Sequence, residues 1–245
     1  MSTWTLSLGL VEYTEALELQ NLLVAARKQG SIPDLLLLLR HPNVITLGRS
    51  KSKRFLRHSE AELRQRGYQV IEAGRGGEVT FHGPGQLIAY PILSLQDEER
   101  DLHLHLRRLE EVGIEVCRHY GVNAGRVDGR TGVWTKGKKL AAIGVRARHW
   151  ITFHGMAFNL SPELEGFDLI VPCGISDAEV TCLHKESHGV KPGHDELEQT
   201  FLQAFGSVFE RELVTVSHSK LESVLQELSN EEHFSCLAQG TPGKH

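Results

Sequence analysis

The sequence lacks the features that would assign it to several common protein classes. Its 245 residues contain no long apolar run, and the strongest one, Leu35 to Leu39, is far too short to span a bilayer. The N-terminus shows no basic segment followed by an apolar stretch, so no signal peptide is predicted. The 27 basic and 31 acidic residues give a formal net charge of -4, whereas a general nucleic-acid-binding protein has a basic surplus. We therefore predict a cytoplasmic protein that binds neither membranes nor nucleic acids.

Cysteine is also scarce, and its spacing argues against a disulfide framework. The four cysteines lie far apart in the chain: Cys117, Cys173, Cys182 and Cys236. In a cytoplasmic protein they are expected to be reduced thiols. A zinc site would have to combine His82, His154 and Cys173, but the sequence has no close ligand pair of the C-x-x-C or H-E-x-x-H type. We therefore predict no metal site.

The composition that is present fits a globular protein, with 40% hydrophobic and 24% charged residues. Apolar periodicity and turn residues predict helices over residues 11–29, 59–66, 101–120, 196–209 and 221–228. The same signals predict strands over residues 35–39, 44–47, 70–71, 79–81, 87–90, 133–134, 140–145 and 151–160. Because these strands and helices do not alternate as βαβ units, we predict an α+β fold in which one mixed or antiparallel sheet is backed by helices.

A glycine-rich segment over residues 75–86 is the first candidate binding element. It contains four glycines: Gly76, Gly77, Gly83 and Gly85. Glycines leave main-chain N–H groups uncovered, which suits a phosphate or a carbonyl oxyanion, although a tight turn needs glycine as well. The flanking Arg75 and His82 favour ligand binding. A nucleotide-binding P-loop is excluded, because the Gly-Lys-Ser/Thr ending is missing.

Cys173 is the best candidate nucleophile among the cysteines. It lies between Pro172, which blocks helix continuation, and Gly174, which permits a sharp turn. A thiol in such a turn can meet a substrate, and its thiolate is the reactive form. By contrast, Cys117 falls within a predicted helix and is expected to be a core thiol. Cys182 is predicted to lie in a strand and is the weaker candidate.

Three further side chains are candidates for proton transfer. Lys139 begins an apolar run, where partial burial favours proton exchange, although a lysine at a strand edge is usually solvated. His82 and His154 each follow a phenylalanine and precede a glycine. Either histidine could hold a thiolate, and either could instead be a polar residue at a strand end. The sequence does not choose between them.

Four segments in order resemble the octanoyltransferases of lipoate biosynthesis. The first two are Arg75-Gly-Gly-Glu-Val-Thr-Phe-His82-Gly-Pro-Gly-Gln86 and Lys139-Leu-Ala-Ala-Ile-Gly144. The other two are Phe153-His-Gly-Met-Ala-Phe-Asn-Leu160 and Pro172-Cys-Gly-Ile175. The resemblance extends from about residue 36 to about residue 209. It implies a fold like that of the biotin and lipoate protein ligases.

The resemblance also implies site residues. It assigns the nucleophile to Cys173 and a catalytic lysine to Lys139. His154 is a candidate assisting residue from the sequence itself, and the choice between His82 and His154 stays open. The implied acyl-binding positions fall in three stretches: Arg75, Gly76, Gly77, Glu78, Val79, Thr80, Phe81 and His82; Ala142, Ile143 and Gly144; Gly155, Met156 and Ala157. Ile143, Met156 and Phe158 are candidates for an acyl tunnel, and they could equally be ordinary core residues.

The implied reaction is transfer of an octanoyl group from octanoyl-acyl carrier protein to a lysine of a lipoyl domain. It passes through a thioester on Cys173, it needs no ATP and no cofactor, and it is the first step of protein lipoylation. The implied acceptors are the lipoyl domains of 2-oxoacid dehydrogenase complexes and the glycine cleavage protein. We predict a catalytic acyltransferase domain over residues 1–213. A C-terminal extension over residues 214–245 is expected to be partly helical and then frayed.

Several different activities are compatible with parts of this pattern. An ATP-dependent lipoate–protein ligase has the same fold and a lysine at the position of Lys139, but it needs no nucleophilic cysteine, so Cys173 favours the transferase. An acyltransferase between lipoyl proteins, a thioesterase and a non-catalytic binding protein also stay open. A carrier protein is usually acidic, and the best basic cluster for docking it is Arg49, Lys51, Lys53 and Arg54, although such a run is more often a solvated loop.

Overall fold

The computed structural model describes residues 2–50, 53–161, 164–171 and 179–226. The strands are β1 (Ser2–Leu10), β2 (Asp34–Arg40), β3 (Val44–Leu47), β4 (Gln69–Glu72), β5 (Val79–His82), β6 (Gln86–Ile92), β7 (Gly125–Val127), β8 (Arg130–Thr135), β9 (Lys138–Arg148), β10 (Ile151–Asn159) and β11 (Glu212–Thr215). The helices are α1 (Tyr13–Gln29), α2 (Glu60–Gln65), α3 (Leu102–His119), α4 (Leu183–Glu186) and α5 (His194–Phe209). Residues 218–226 are also helical.

The strands of the described part of the chain form two sheets. The larger has eight strands in the order β11-β1-β2-β6-β10-β9-β8-β7. In it β1 runs parallel to β2 and β11, whereas β2, β6, β10, β9, β8 and β7 pair antiparallel in turn. The smaller sheet has the order β4-β3-β5, with β3 parallel to β4 and antiparallel to β5. The prediction of an α+β fold with a mixed sheet backed by helices is confirmed, and the second sheet was not predicted.

The large sheet is covered on both faces, which explains the run of five leucines in β2. Leu36 and Leu38 pack on one side with residues of α3 and α5. Leu35, Leu37 and Leu39 pack on the other side with residues of α1 and the helical segment over 218–226. A strand buried on both faces is apolar throughout rather than alternating. The position of β2 in the middle of two cores therefore follows from its sequence.

The helix ends follow the expected local chemistry. α1 stops at Gly30, which adopts the left-handed conformation with φ 79°. α2 begins with a capping box, in which the Ser59 hydroxyl accepts from the N–H of Glu62 and the Glu62 carboxylate accepts from the N–H of Ser59. The Asp101 carboxylate caps α3. The predicted helices over residues 11–29, 59–66 and 101–120 are confirmed.

The two cysteines outside the candidate site lie in the protein interior. Cys117 is fully buried in α3, which confirms its prediction as a core thiol, and burial raises its pKa to about 12. The prediction of a strand at Cys182 is wrong, because Cys182 is buried at the N-terminal cap of α4. Its backbone follows a single bridge between Val180 and Lys139 and then turns into the helix.

The C-terminal part of the described chain packs on the large sheet. β11 pairs with β1 from Glu212 to Thr215, so it runs across residue 213. Leu221 is buried against the core on the α1 side, and Val224 and Leu225 pack against it. The division into domains at residue 213 stays a prediction. Among the described residues, every helix is too short or too polar to cross a bilayer.

Candidate functional site

A cavity of about 300 Å³ lies where β9 and β10 of the large sheet face β5 and the glycine-rich loop. Its size is at the lower end of the range for small-ligand sites, so it fits one small ligand. It is lined by Tyr13, Arg75, Gly76, Gly77, Glu78, Val79, Thr80, His82, Tyr90, Leu106, Gly129, Arg130, Thr131, Lys139, Ala142, Ile143, Gly144, Val145, His154, Gly155, Met156 and Ala157.

The floor of the cavity is the pairing of β9 with β10. In this antiparallel register His154 lies opposite Val145, Gly155 opposite Gly144, and Ala157 opposite Ala142. The small side chains leave space above the sheet. Gly155 also allows β6 to lie close to β10, because a Cβ built at this position would lie 2.1 Å from the Ala89 carbonyl oxygen. Two glycines and two alanines in register therefore create the cavity.

The glycine-rich loop over residues 74–78 is held against β9 and β3. The Gly76 N–H donates to the Val145 carbonyl oxygen at 3.0 Å. The Arg75 guanidinium is buried and donates to the carbonyl and hydroxyl oxygens of Thr46 at 2.7 and 2.8 Å. At Gly48 an added Cβ would lie 1.8 Å from the Gly77 carbonyl oxygen, so the loop can pass there only over a glycine. This role of Gly48 was not predicted.

We call Lys139 together with Gly129 and the first two residues of β8, Arg130 and Thr131, the lysine end of the cavity. The Lys139 side chain is buried, and its Nζ lies 5.0 Å from the ring centroid of Trp134. A cation near the face of a tryptophan ring is stabilised by the ring quadrupole. Gly132 has φ 135°, and a Cβ there would lie 3.1 Å from Lys139 Cε. Leu140 is the extra residue of a β-bulge between β8 and β9, a feature that re-aims side chains.

Backbone hydrogen bonds tie Lys139 to the chain that follows Cys173. The Lys139 N–H donates to the Glu179 carbonyl oxygen at 2.8 Å, and the Thr181 N–H donates to the Lys139 carbonyl oxygen at 2.9 Å. On the other flank, the Val171 N–H donates to the Phe55 carbonyl oxygen at 2.8 Å. Cys173 itself lies outside the described residues, as do the other residues from 172 to 178.

We call Tyr13, His82, Tyr90 and His154 the aromatic end. The Tyr13 ring stacks on the His82 ring with centroids 5.9 Å apart and an interplanar angle of 8°. The Tyr90 ring lies edge-on to the His154 ring at 6.3 Å. His41 lies behind them, and its Nδ1–H donates to the Val11 carbonyl oxygen at 2.7 Å. Its Nε2 therefore accepts the Tyr90 hydroxyl at 2.8 Å.

Burial keeps the histidines of this region neutral near pH 7. It lowers the pKa of His41 to about 4. It lowers the pKa of His154 to about 3, and the charge of Arg75 acts in the same direction. Burial also holds the pKa of His82 well below its ordinary value, with His41 and Arg75 as further causes. A desolvated imidazole cannot accept a proton without losing hydration that the protein does not replace.

The two tyrosines at the aromatic end are neutral as well, but their hydroxyls differ. Burial raises the pKa of Tyr13 to about 12 and raises that of Tyr90 well above its ordinary value. The Tyr90 hydroxyl donates to His41. The Tyr13 hydroxyl is buried and has no hydrogen-bond partner among the described residues. Neither ring nitrogen of His154 makes a hydrogen bond of normal geometry with a described residue.

The cavity brings together most of the residues singled out from the sequence. Lys139, His82 and His154 all line it, as do 13 of the 14 implied acyl-binding residues. Phe81 is the exception, because its ring points into the core. Its ring centroid lies 5.9 Å from that of Tyr68 and 5.4 Å from that of Phe167. That these residues bind an acyl group stays a prediction.

Several residues line the cavity without having been predicted as site residues. Tyr13 comes from the start of α1, Tyr90 from β6, Leu106 from α3, Gly129 from the turn before β8, and Arg130 and Thr131 from the start of β8. No local motif in the sequence marks them, since each reaches the cavity only through tertiary packing. Of the three tunnel candidates, Ile143 and Met156 line the cavity, whereas Phe158 lies in the core between the sheet and α3.

Metal binding has no support in the part of the chain that the structure describes. There, no three His, Cys, Asp or Glu side chains are grouped closely enough to hold an ion. The ionisable groups that line the cavity are instead one lysine, two arginines, one glutamate, two imidazoles and two phenols.

The chain is similar in sequence to known proteins. The chain matches the family Lipoyl protein ligase A/B catalytic domain over residues 12–206. It is 44% identical over 207 residues to an octanoyltransferase of Solibacter usitatus. That alignment covers 84% of this chain and 93% of the relative. It is 46% identical over 205 residues to an octanoyltransferase of Chloroflexus aurantiacus, with coverages of 82% and 92%.

Solved structures with similar architecture are ligases. A lipoate-protein ligase A bound with ATP superposes with a TM-score of 0.71 at 17% identity, covering 93% of this chain and 94% of that chain. A bi-partite lipoate protein ligase of Thermoplasma acidophilum gives 0.68 at 17% identity, with coverages of 93% and 92%. At such low identity these likenesses establish the fold alone, and they confirm the predicted fold of the lipoate protein ligases.

Proposed function

The chain belongs to the lipoyl protein ligase A/B catalytic domain family and is an acyltransferase, and on that premise we propose the following reaction. The enzyme takes an octanoyl group from octanoyl-acyl carrier protein, holds it as a thioester on Cys173, and passes it to a lysine of a lipoyl domain without ATP. The octanoyl transfer itself is the activity of its relatives; the donor, the intermediate and the independence from ATP are the proposed parts.

One observation carries the proposal. A buried lysine at one end of a small cavity is hydrogen-bonded through its own backbone to Glu179 and Thr181. Glu179 is six positions after Cys173 in the chain, and Val171, which is anchored on the other flank, is two positions before it. The Glu179 anchor thus ties the chain that follows the candidate nucleophile directly to Lys139, and the Val171 anchor fixes the chain that precedes it.

In the first half-reaction the Cys173 thiolate attacks the carbonyl carbon of the carrier thioester. A new C–S bond forms to Cys173, and backbone N–H groups near the site stabilise the oxyanion. Collapse of the tetrahedral intermediate breaks the donor C–S bond, and the leaving carrier thiolate takes a proton from the cationic Lys139, which is left neutral for the second half-reaction. A cationic Lys139 beside the cysteine favours the thiolate by its charge.

In the second half-reaction the lipoyl-domain lysine attacks the thioester on Cys173. The new C–N bond forms, the Cys173 C–S bond breaks, and Lys139 takes the excess proton from the attacking amine or passes it on. An exchange between two thioesters is nearly isoenergetic, and the amide product is more stable than either. ATP is therefore not required for the overall reaction.

The cavity is proposed to hold the acyl chain along β9. Lys139 and Val145 are six residues apart on this strand, which corresponds to roughly 20 Å at about 3.3 Å per residue. The Lys139 side chain and the reacting groups occupy the first part of that distance. The chain then runs over Ala142, Ile143 and Met156 toward the aromatic end, and each buried CH₂ contributes about 0.8 kcal/mol.

Intact-protein mass spectrometry after mixing the enzyme with octanoyl-carrier protein, without ATP, tests the proposal. We expect an octanoyl adduct that hydroxylamine removes and that is absent in Cys173→Ala. Cys182→Ala is the matched control, because Cys182 is buried and burial raises its pKa. It should retain the adduct.

The opposite outcome would move the chain to a related class of enzyme. If no adduct forms, and a lipoyl domain is acylated from free octanoate with ATP, the enzyme is a ligase and Cys173 is a turn residue. Transfer from an octanoylated lipoyl protein in place of the carrier protein would instead change the donor. Release of free octanoate without an acceptor would indicate a thioesterase.

A further inference from the structure

Trp134 contacts the candidate catalytic lysine, although the proposed reaction gives this tryptophan no role. It is 3% exposed and lies outside the set of residues that line the cavity. Its Nε1–H donates to the Arg130 carbonyl oxygen at 3.3 Å, and its ring centroid lies 5.0 Å from the Lys139 Nζ. Among the aromatic side chains, tryptophan presents the ring face that attracts a cation most strongly. The ring therefore makes a directed contact with the ammonium group in addition to its packing in the core.

The irregular pairing of β8 with β9 creates this contact. Val133 lies opposite Ala141. The next residue of β8, Trp134, lies opposite Lys139, because the bulge adds one residue to β9 between the two pairs. In a regular antiparallel register Lys139 would lie opposite Thr135 instead. Directly opposite side chains have Cβ atoms about 4.5–5.5 Å apart, so the bulge moves Lys139 from the threonine to the indole ring.

The backbone and the stem of Lys139 are also held in place. Its N–H and its carbonyl oxygen are hydrogen-bonded to Glu179 and Thr181. On the β8 side, a Cβ at Gly132 would lie 3.1 Å from Lys139 Cε, so the stem passes closely over this glycine. The Gly132 N–H donates at 3.0 Å to the buried Glu110 carboxylate, which fixes β8 against α3. Ordering a lysine side chain costs rotamer entropy, and a side chain that is already ordered incurs that cost outside the chemical step.

We propose that Trp134 is a positioning residue that aims the Lys139 ammonium group at the reacting atoms. This inference rests on the proposed function, because it assumes that Lys139 exchanges protons with the leaving thiolate and the attacking amine. Proton transfer requires the two groups to lie within hydrogen-bond distance in the correct geometry. Without the ring face the ammonium group is free to leave that geometry. Loss of the ring should therefore slow the chemical step and leave the binding of the donor unchanged.

Two substitutions at this position separate the ring face from the volume of the side chain. Trp134→Phe and Trp134→Leu both remove the indole N–H and part of the side chain, but only phenylalanine retains an aromatic face. We expect kcat for octanoyl transfer to be about tenfold lower in Trp134→Leu than in Trp134→Phe, an effect of the size of one desolvated contact between a cation and a ring. KM for the donor should be the same in both variants, since the change is confined to the chemical step.

A fluorescence measurement tests the contact without any acyl transfer. The chain has three tryptophans, so Trp134 is the single indole fluorophore in the background Trp4→Phe/Trp150→Phe. Because an ammonium group at the ring face acts on the ring electrons, Lys139→Met in this background should change the emission of Trp134. Lys138→Met is the matched control and should leave the emission unchanged, since the Lys138 ammonium group pairs with the Glu179 carboxylate.

The emission test also covers the case in which a substitution of Trp134 prevents folding. Lys139→Met leaves the ring in place, so the measurement does not depend on a variant of the tryptophan. Identical spectra for Lys139→Met and its parent would show that the ammonium group does not contact the ring, and the inference would be overturned.

The outcomes separate this inference from the proposed reaction. If the wild type forms the Cys173 adduct but kcat is equal in Trp134→Leu and Trp134→Phe, the ring face does not position Lys139 and the inference is overturned. If the wild type acylates a lipoyl domain by another route, the proposed reaction is wrong, and the same comparison of kcat in that route decides the inference. A lower kcat in Trp134→Leu together with a changed emission in Lys139→Met supports the inference under either route.

Discussion

The ionisable side chains at the two ends of the cavity lie in different surroundings. At the lysine end, Lys139 is buried beside the face of the Trp134 ring, where a positive charge is stabilised. At the aromatic end, three buried histidines have lowered pKa values and are neutral near pH 7. Both ends contain nitrogen bases that are out of contact with water. The bases differ in kind and in surroundings: a lysine beside an aromatic face at one end, and histidines whose pKa values burial lowers at the other.

The two ends of the cavity are therefore suited to different parts of the proposed reaction. In the proposed reaction Lys139 exchanges a proton with the reacting groups at the lysine end. At the aromatic end the histidines and tyrosines are uncharged, and Arg75 and Arg146 are the charged groups that act on His154. Strand β9 joins the two ends, because it carries Lys139 near its start and Val145, which lies opposite His154, further along.

Removing the charge at the lysine end should give the largest effect. Lys139→Met keeps an unbranched side chain under Trp134 but removes the ammonium group. We expect the transfer rate to fall by about 10²- to 10⁴-fold, the usual contribution of a positioned proton-transfer group. Steady-state transfer of octanoyl to a lipoyl domain measures the change.

The neighbouring lysine provides the control for that change. Lys138 is exposed and pairs with the Glu179 carboxylate at 2.6 Å. Lys138→Met should retain transfer activity, since an exposed ion pair contributes little to stability. Equal losses in the two variants would show that the effect of Lys139 is structural, and the contrast between the two ends of the cavity would then lose its catalytic meaning.

The sequence predicted one wall of the cavity far better than the other. The residues of the glycine-rich loop, of β9 and of β10 lie in continuous motifs, so their chemistry is visible in the chain. Tyr13 and Leu106 reach the cavity from two helices whose local sequence signals only amphipathic packing. Gly48 is a similar case, because its need for glycine arises from Gly77, 29 residues later in the chain.

The strands of the fold could likewise be predicted from the sequence only in part. The leucine run in β2 predicts a buried strand, whereas β1 was missed although its residues alternate between polar and apolar, a pattern typical of a strand. β11 has only four residues, and its partner β1 lies about 200 residues earlier, so nothing local indicates it. The β-bulge at Leu140 that re-aims Lys139 arises from the pairing of β8 with β9, which sequence alone does not define.

A buried histidine away from the cavity tests whether burial alone suppresses protonation. His105 in α3 is 2% exposed and lies edge-on to the Phe209 ring at 5.6 Å. Burial lowers its pKa to about 4, and the charge of Arg108 acts in the same direction. Its folded-state pKa is thus below the ordinary value of about 6.5. The stability that the neutral ring contributes is complete above pH 6.5 and is lost as the pH falls from there toward 4.

His105→Leu should therefore change the pH dependence of stability. Proton linkage at this one group lowers the unfolding free energy of the wild type by roughly 2 kcal/mol at pH 5. The difference in unfolding free energy between His105→Leu and the wild type should grow by about that amount from pH 7.5 to pH 5. Urea unfolding at both pH values measures it. Between pH 7.5 and pH 9 the difference should stay constant, and a constant difference down to pH 5 would mean that the buried ring already accepts a proton at its ordinary pKa.

The smallest expected effect is a null result at the aromatic end. The groups that face Tyr13 and His154 there are Arg75, Arg146, His41, His82 and Tyr90. Burial lowers the pKa of His41 to about 4 and that of His154 to about 3, and it raises the pKa of Tyr13 to about 12. The pKa of His82 lies well below its ordinary value and that of Tyr90 well above it. These groups should therefore stay neutral between pH 6 and pH 9.

The preference for octanoyl over decanoyl donors should accordingly be the same at pH 6 and pH 9, while the transfer rate itself varies with the protonation of the reacting thiol and amine. Competition between the two donors in one reaction measures the preference directly, since both meet the same enzyme at the same pH. A ratio that changes in step with the rate would place a titrating group beside the acyl tail. The separation between a proton-moving end and a neutral end would then be wrong, because one ionisation would control both chemistry and chain length.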